Sequence, residues 1–327
     1  MKKTSIGGQA LVEGIMMRGP EITAMAVRNA SGKIIKEEWA NKTSVPKILR
    51  VPIIRGIYGM LSSLTIGYKC MMRSADIAVQ DILEEENTAA KTDDESTNES
   101  IAETKETKKS ENDKAESPIW FTITMVVSVV LAFALMIGLF VLVPTFLGGL
   151  IFSETEGFWA RLGRSAFEGV LKIVLLVLYM WAISFMKDIR RTFMYHGAEH
   201  KTIFCYENGL ELTVDNIRKQ GRFHPRCGTS FLILMLIVGI FIGFFINVDS
   251  WLLRFAIRLL LLPLTVGIGY ELIKFAGRHD NALTRIISAP GVALQHITVL
   301  EPDDDMIECA IIAMSAVIPE SPDKDNW

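Results

Sequence analysis

Cysteine and histidine are scarce in this chain, and that scarcity narrows its chemistry. The four cysteines, Cys70, Cys205, Cys227 and Cys309, show no paired spacing. This argues against a disulfide framework and for reduced thiols on a cytosolic side. Charge is missing altogether from residues 119–153, a run of 35. One crossing of a bilayer's hydrocarbon core takes ~20 residues, so such a run excludes an ordinary soluble domain. No secretory leader is visible: Met1-Lys-Lys leads into Thr4-Ser-Ile-Gly-Gly-Gln9, and Glu13 interrupts before an apolar core can form. Large aliphatics are nearly absent from residues 84–117, where Ile101 stands alone among Glu, Thr, Lys, Ser, Asp and Asn. Too little apolar area exists there to offset ordering entropy, so the segment reads as a disordered acidic linker.

What is present is hydrophobic. Half of the residues are apolar and mean hydropathy is +0.31. The pattern predicts an α-helical multi-pass membrane protein with four spans. The first lies within 119–153, its helix ended by Pro144 and Gly148-Gly149; the others cover 166–186, 229–246 and 251–275. Asn247 to Ser250 then form a tight turn between the last two. The loop from Lys187 to Arg226 holds eight Lys or Arg, against two in 154–164 and none in 247–250. By the positive-inside rule, the basic loop and both termini are cytoplasmic. The net charge of -3 hides an asymmetry: residues 84–117 carry twelve acidic and five basic side chains, so -7, leaving +4 elsewhere. Orientation and anionic headgroups account for that excess, which makes membrane lipids the expected partners and gives no sign of nucleic-acid binding.

The chain ends read as one small cytoplasmic α/β domain. In the N-terminal module, 1–83, the runs Ala24–Arg28 and Lys33–Trp39 flank Asn29-Ala-Ser-Gly32 and predict a β-hairpin. The glycine-punctuated stretch Ile6–Gly19 reads as a packed loop. Residues 52–72 are apolar but interrupted by Arg55, Gly56, Gly59, Gly67 and Lys69, which suits an interfacial helix better than a fifth span. In the C-terminal segment, 276–327, Leu294–Leu300 reads as a strand, followed by a helix opening at Pro302 and running to about Val317. Proline at the first helical position and Asp303 to Asp305 in the first turn suit a helix N-terminus. A lone hairpin is not stable by itself, so hairpin, strand and helix are expected to join.

The chemistry concentrates in the loop 187–228 of the membrane domain, 118–275. Three of the chain's five histidines fall there, in His196-Gly-Ala-Glu-His200-Lys201 and His224-Pro-Arg-Cys227-Gly-Thr-Ser230. On a helix, His196 and His200 share one face with Glu199 beside them. His-x-x-Glu-His is the spacing in which two imidazoles hold zinc and the carboxylate handles a proton. Gly197 works against the helix by ~1 kcal/mol relative to Ala. His224, Cys227 and Glu271 are all plausible third ligands, since zinc accepts imidazole, thiolate or carboxylate, and the expected set is His196, His200 and either His224 or Glu271. A divalent metal, zinc foremost, is thus the expected cofactor, with Glu199 as the catalytic base. Arg226, Cys227, Thr229 and Ser230, at the start of the third span, together with Lys201, form an anion-friendly candidate substrate pocket. The plainer alternative is a helix cap with a snorkelling arginine. Glu271 and Lys274 equally suit a structural pair.

The blocks Gly7–Gly19, His196–Lys201, His224–Phe231 and Glu301–Asp304 together resemble the YqhQ family of bacterial membrane proteins. The linker 84–117 is the obvious part not covered. The resemblance implies the inner membrane of a bacterium and a metal-dependent enzyme whose reaction is undefined. The leading expectation is an enzyme at the cytoplasmic membrane face, acting on a lipid-linked or phosphate-bearing substrate. The other is a non-enzymatic scaffold, insertion factor or transport component that binds lipid or a partner protein. A transporter is disfavoured because Phe231 to Ile246 contains no ionisable residue.

Overall fold

A computed structural model describes residues 3–41, 46–95, 118–152, 157–246, 248, 250–279, 281–321 and 325. It divides into two compact units, Met1–Leu83 with Leu176–Trp327, and Glu84–Leu175.

The first unit opens with a four-stranded antiparallel meander, β1 (Gly7–Leu11), β2 (Gly14–Arg18), β3 (Ile22–Arg28) and β4 (Ile34–Ala40), in that spatial order. The expected hairpin is β3–β4, with Gly32 at φ +83° in its turn. The stretch read as a packed loop is instead the hairpin β1–β2. Its two-residue turn, Val12-Glu13, holds Glu13 at φ 50°, and Gly14 lets β2 sit directly against β3. Glycines at both ends of these runs hid the alternation of Leu11, Ile15 and Met17. Successive side chains of a strand point to opposite faces, and both faces of this sheet are covered. Ile15, Met17, Ala24 and Ala26 face one core; Leu11, Met16, Met25 and Val27 face another.

The second of these cores is closed by Cys70 and Ile77 of α1 (Ile54–Glu95). This helix takes up the 52–72 segment from Ile54 onward and runs through the first residues assigned to the linker; residues 96–117 lie outside the described chain. The first core is closed by two further helices, which follow the apolar unit in sequence.

That second unit is built from α2 (Pro118–Ile137), a π-helical turn Gly138–Leu142, α3 (Val143–Ile151) and the first part of α4 (Phe158–Ile183). Helix therefore continues past Pro144, where the sequence suggested a stop. Proline lacks an N–H and its ring crowds the carbonyl four residues back, and the widened π turn immediately before it relieves that clash. Side chains such as Leu131, Leu135 and Phe146 point outward, as a lipid-facing surface would require.

Returning to the first unit, the segment expected as a loop is mostly helix: α5 (Lys187–Glu207) and α6 (Val214–Arg218). Then come α7 (Gly228–Phe244), α8 (Trp251–Arg278), α9 (Ala282–Thr298) and α10 (Asp304–Val317). Among the described residues, Val127–Ile151, Phe158–Ile183 and Leu252–Arg278 are long and apolar enough to cross a membrane, while Gly228–Phe244 is apolar but shorter. Tyr195, Ala198 and Ile203 of α5 and Met306, Ala310 and Met314 of α10 complete the first core. The expected C-terminal helix is thus present, but it begins at Asp304 and not at Pro302, with Asp303 in the N-cap position making no side-chain cap bond. The strand expected over Leu294–Leu300 is not present: α9 extends to Thr298, and only Val299 onward is extended. β-Branched residues suggested a strand, but the Asn281–Thr284 capping box and close packing on α7 make helix. At that crossing a Cβ on Gly291 would overlap Ser230.

Candidate functional site

Helix α5 carries the site, and its centre is buried on all sides: Glu199, His200, Lys201 and Thr202 are each less than a tenth exposed. Gly197 explains how a chain segment comes so near. A Cβ at this position would overlap the carbonyl oxygen of Leu300, whose amide donates to Phe193 O at 3.0 Å. The helix-weakening glycine is therefore what admits the 298–302 strap against α5.

The strap orients the first histidine. His196 Nδ1 lies 2.9 Å from Thr298 O, and His200 Nδ1 lies 2.6 Å from Arg222 O. A carbonyl oxygen only accepts, so each Nδ1 carries the proton and each Nε2 keeps its lone pair. His196 Nε2 is 3.1 Å from Cys227 Sγ. One donor atom from each of His196, His200 and Cys227 lies within 4.8 Å of the others. Cys227 is the N-cap of α7, with its sulfur 3.5 Å from Thr229 N and 3.3 Å from Thr229 Oγ1. Burial disfavours its thiolate. Against that penalty, a charged His200 ring and the Thr229 donors draw the thiol below its usual range; once His200 is neutral, only the Thr229 donors still favour the thiolate. Burial also pushes His200 down, favouring the neutral, ligand-competent ring.

Two neutral imidazoles and a thiolate suit a transition metal, zinc among them, and a three-residue set leaves a fourth position for water or substrate. Carbonyls that fix the far ring nitrogen are the customary support of metal-bound histidine. Glu199, next along the helix, is buried against Gly8, where a Cβ would come within 2.8 Å of its carboxyl carbon. Burial, aided by Cys227, pushes its pKa up to about 7, against the His196 imidazole and the Gly8 amide. A carboxyl so placed can both hold and release a proton near neutrality.

The other sequence candidates lie elsewhere. His224 is not with the cluster's donor atoms; its Nε2 is 3.7 Å from Glu207 Oε2, and the Arg226 guanidinium pairs with Glu207 as well. Burial works against the Glu207 charge, but the bonds from His224, Arg226 and the Thr4 amide hold its carboxyl below the usual range. Glu271 is not brought to the histidines either. Its carboxylate pairs with Arg55, at the point where Gly56 and Gly267 seat the start of α1 on α8. Lys201 is buried on Glu301 and Arg218 O, and the Ser230 hydroxyl accepts from Gln295 Nε2 at 3.1 Å. Of the proposed anion pocket, Cys227 and Thr229 meet.

Two buried residues that support the candidate site escaped the sequence reading. Gln295 is fully buried and clamps the 224–230 segment, accepting from His224 N at 2.8 Å and donating to His224 O at 2.7 Å. No local signal marks it. Glu207 did leave one: it lies eleven residues past His196, three turns on, and so on the same helical face.

A family model described as a protein of unknown function, DUF1385, matches residues 51–320. The uncharacterized protein YqhQ of Bacillus subtilis (strain 168) is 31% identical over 315 residues, which cover 95% of this chain and 92% of that protein. No solved structure matches the chain. The chain belongs to the DUF1385 family, in agreement with the resemblance carried by its glycine and histidine blocks.

Proposed function

We propose that this member of the DUF1385 family is a metal-dependent enzyme whose centre is held by His196, His200 and Cys227. One observation carries the reading: both imidazoles spend Nδ1 on a main-chain carbonyl and leave Nε2 available beside a buried thiol. Of the three third ligands the sequence allowed, Cys227 is favoured, because His224 and Glu271 are engaged with charged partners. The bound metal, zinc foremost, would supply Lewis acidity and an activated water. Glu199 is the residue that takes and returns the proton, and Gly8 holds it in place through its amide.

The setting is a bacterial inner membrane, with the cluster and both termini on the cytoplasmic side. The eight cationic residues of 187–226 support that orientation, and three long apolar helices support the membrane. An amphiphilic or membrane-delivered substrate follows from a centre so close to the apolar segments.

The test is metal content by plasma mass spectrometry on full-length protein in detergent, wild type beside His196→Ala/His200→Ala. The expected result is about one equivalent of a divalent transition metal in the wild type and none in the variant. A folded, metal-free wild type would sink the enzyme reading and leave the scaffold or transport alternative.

A further inference from the structure

Helix α1 carries two faces that the proposed metal centre does not use. Leu61, Leu64, Tyr68, Met72 and Val79 are spaced 3, 4, 4 and 7 apart, so they share one side of the helix. Each is between 45% and 64% exposed. A contiguous exposed apolar patch usually marks a membrane or partner surface. On the adjoining side of the helix, Ser62, Thr65 and Lys69 line a cavity of about 640 Å³ that Arg18, Glu37 and Trp39 of the sheet also line. Its volume is within the range of small-molecule sites.

The charges of this lining do not cancel. Arg73 donates from Nε and Nη2 to Glu37 Oε1, at 2.9 and 2.6 Å, so those two satisfy each other. Arg18 has a neutral partner, with both terminal nitrogens 3.5 Å from Ser62 Oγ. Among the described residues, no carboxylate pairs with Arg18 or with Lys69. Two cations are therefore left for an anion. A guanidinium offers paired donors to a phosphate, and an ammonium adds a point charge. Trp39 and Tyr58, in the same lining, are side chains of the kind enriched at the headgroup level of membranes.

The attachment of α1 agrees. Its first turn sits on α8 at Tyr270 and Glu271, through Gly56 and the Arg55 pair. Beyond Glu271 the apolar run of α8 gives way to Lys274 and Arg278. With α8 across the bilayer, α1 starts at the level of lipid phosphates. A second copy of this face would bring the same cations, whereas an anionic lipid brings their complement.

We infer that the cavity takes the phosphodiester headgroup of an anionic phospholipid, between Arg18 and Lys69, while the lipid's chains run along the apolar stripe of α1. The inference rests on the membrane setting of the proposed function and is independent of the metal.

The experiment is isothermal titration of full-length protein in a non-ionic detergent. The titrants are dihexanoyl phosphatidylglycerol, dihexanoyl phosphatidylcholine and glycerophosphoglycerol, the anionic headgroup without its chains. Phosphatidylglycerol should bind wild type and His196→Ala/His200→Ala alike, and the other two should bind about tenfold or more weakly. Arg18→Gln/Lys69→Gln should weaken phosphatidylglycerol by about tenfold or more. Thr65→Trp, which narrows the cavity and keeps every charge, should weaken it as well, and so should Leu64→Gln/Tyr68→Gln on the stripe. Lys187→Gln/Lys219→Gln, two exposed cations outside the cavity lining, should leave it unchanged. Binding that survives the cavity variants or the stripe variant, each shown to be folded by thermal melt, overturns the inference. So does an equal loss in Lys187→Gln/Lys219→Gln, which would make the attraction a general one. A bare headgroup that binds as tightly as the lipid overturns it too, and points to a soluble phosphodiester. Recovery of the chain in the soluble fraction of lysed cells would sink the membrane setting as well. A membrane-fraction protein with no preference for phosphatidylglycerol sinks this inference alone.

Discussion

His196 and His200 each give one ring nitrogen to a main-chain carbonyl and leave the other facing Cys227, whereas His224, one ring away, faces a carboxylate already paired with a guanidinium. All three are histidines of one short stretch, and among the described residues the first two place a ring nitrogen beside the Cys227 thiol. The difference lies in the partner of the far nitrogen. A carbonyl accepts and leaves a lone pair free on the other side of the ring. A carboxylate with an arginine beside it completes its own charge balance and asks the histidine only to fill the remaining bond. Buried polar groups thus divide into a set that satisfies itself and a set arranged around something else.

The largest effect should come from breaking the first set. His196→Ala/His200→Ala should abolish metal content, and His224→Ala should keep it while lowering the melting temperature; the reverse pattern, read by plasma mass spectrometry beside a thermal melt, would dissolve the comparison. Chelation should destabilise wild type by about 2.7 kcal/mol when free metal stood at about a hundred times Kd, and should leave the double variant unmoved.

Breaking the second set should hurt stability without touching the metal. Glu207→Ala removes the carboxylate from Arg226, whose side chain is 7% exposed, and should cost about 3–5 kcal/mol in denaturant unfolding with metal content retained. Gly197→Ala sharpens the comparison from the backbone. Its methyl group meets Leu300 O, so the strap that orients His196 must shift, at about 1–3 kcal/mol and with weaker metal binding. An unchanged metal affinity in a destabilised Gly197→Ala would mean that Thr298 O does not matter to the ligand.

The smallest effect is one of pH. The folded Glu207 carboxyl titrates below its ordinary 4.5, so the stability it contributes is complete above that pH. It is lost as pH falls through the lower folded value. Wild type should therefore lose more stability than Glu207→Gln on acidification below 4.5, measured by unfolding at each pH. Parallel curves would show that the pair carries no net charge linkage.

The sequence disclosed these features unevenly. The β3–β4 hairpin was legible because two β-rich runs flank a glycine turn, and β1–β2 was not, because glycine at the strand ends reads as loop. Pro144 looked like a terminus; a π turn absorbed it, and no residue count anticipates that. Leu294–Leu300 looked like a strand from Ile297, Thr298 and Val299, yet Gly291 packing on Ser230 and the cap at Asn281 favoured helix. At the site, spacing alone put His196, Glu199 and His200 on one helix. The sequence favoured His224 or Glu271 as the third ligand and put Cys227 with the substrate pocket, since each lies a loop or more away and spacing says nothing of which one arrives.

By itself, then, the sequence determined what is local: the long apolar stretches, the helical capacity of the His-x-x-Glu-His segment, and the cationic bias of the loop that carries it. These follow from hydropathy and from spacing within a few turns, which act before the chain closes on itself. Tertiary structure decided the rest. It set Cys227, and not Glu271, beside the two histidines, because Arg55 meets Glu271 across 216 residues of chain. It brought Thr298 O to His196 across 102 residues, through a gap that only glycine at 197 leaves open. Ligand sets depend on which distant groups are already spoken for, and that is settled only when burial forces each polar atom to find a partner.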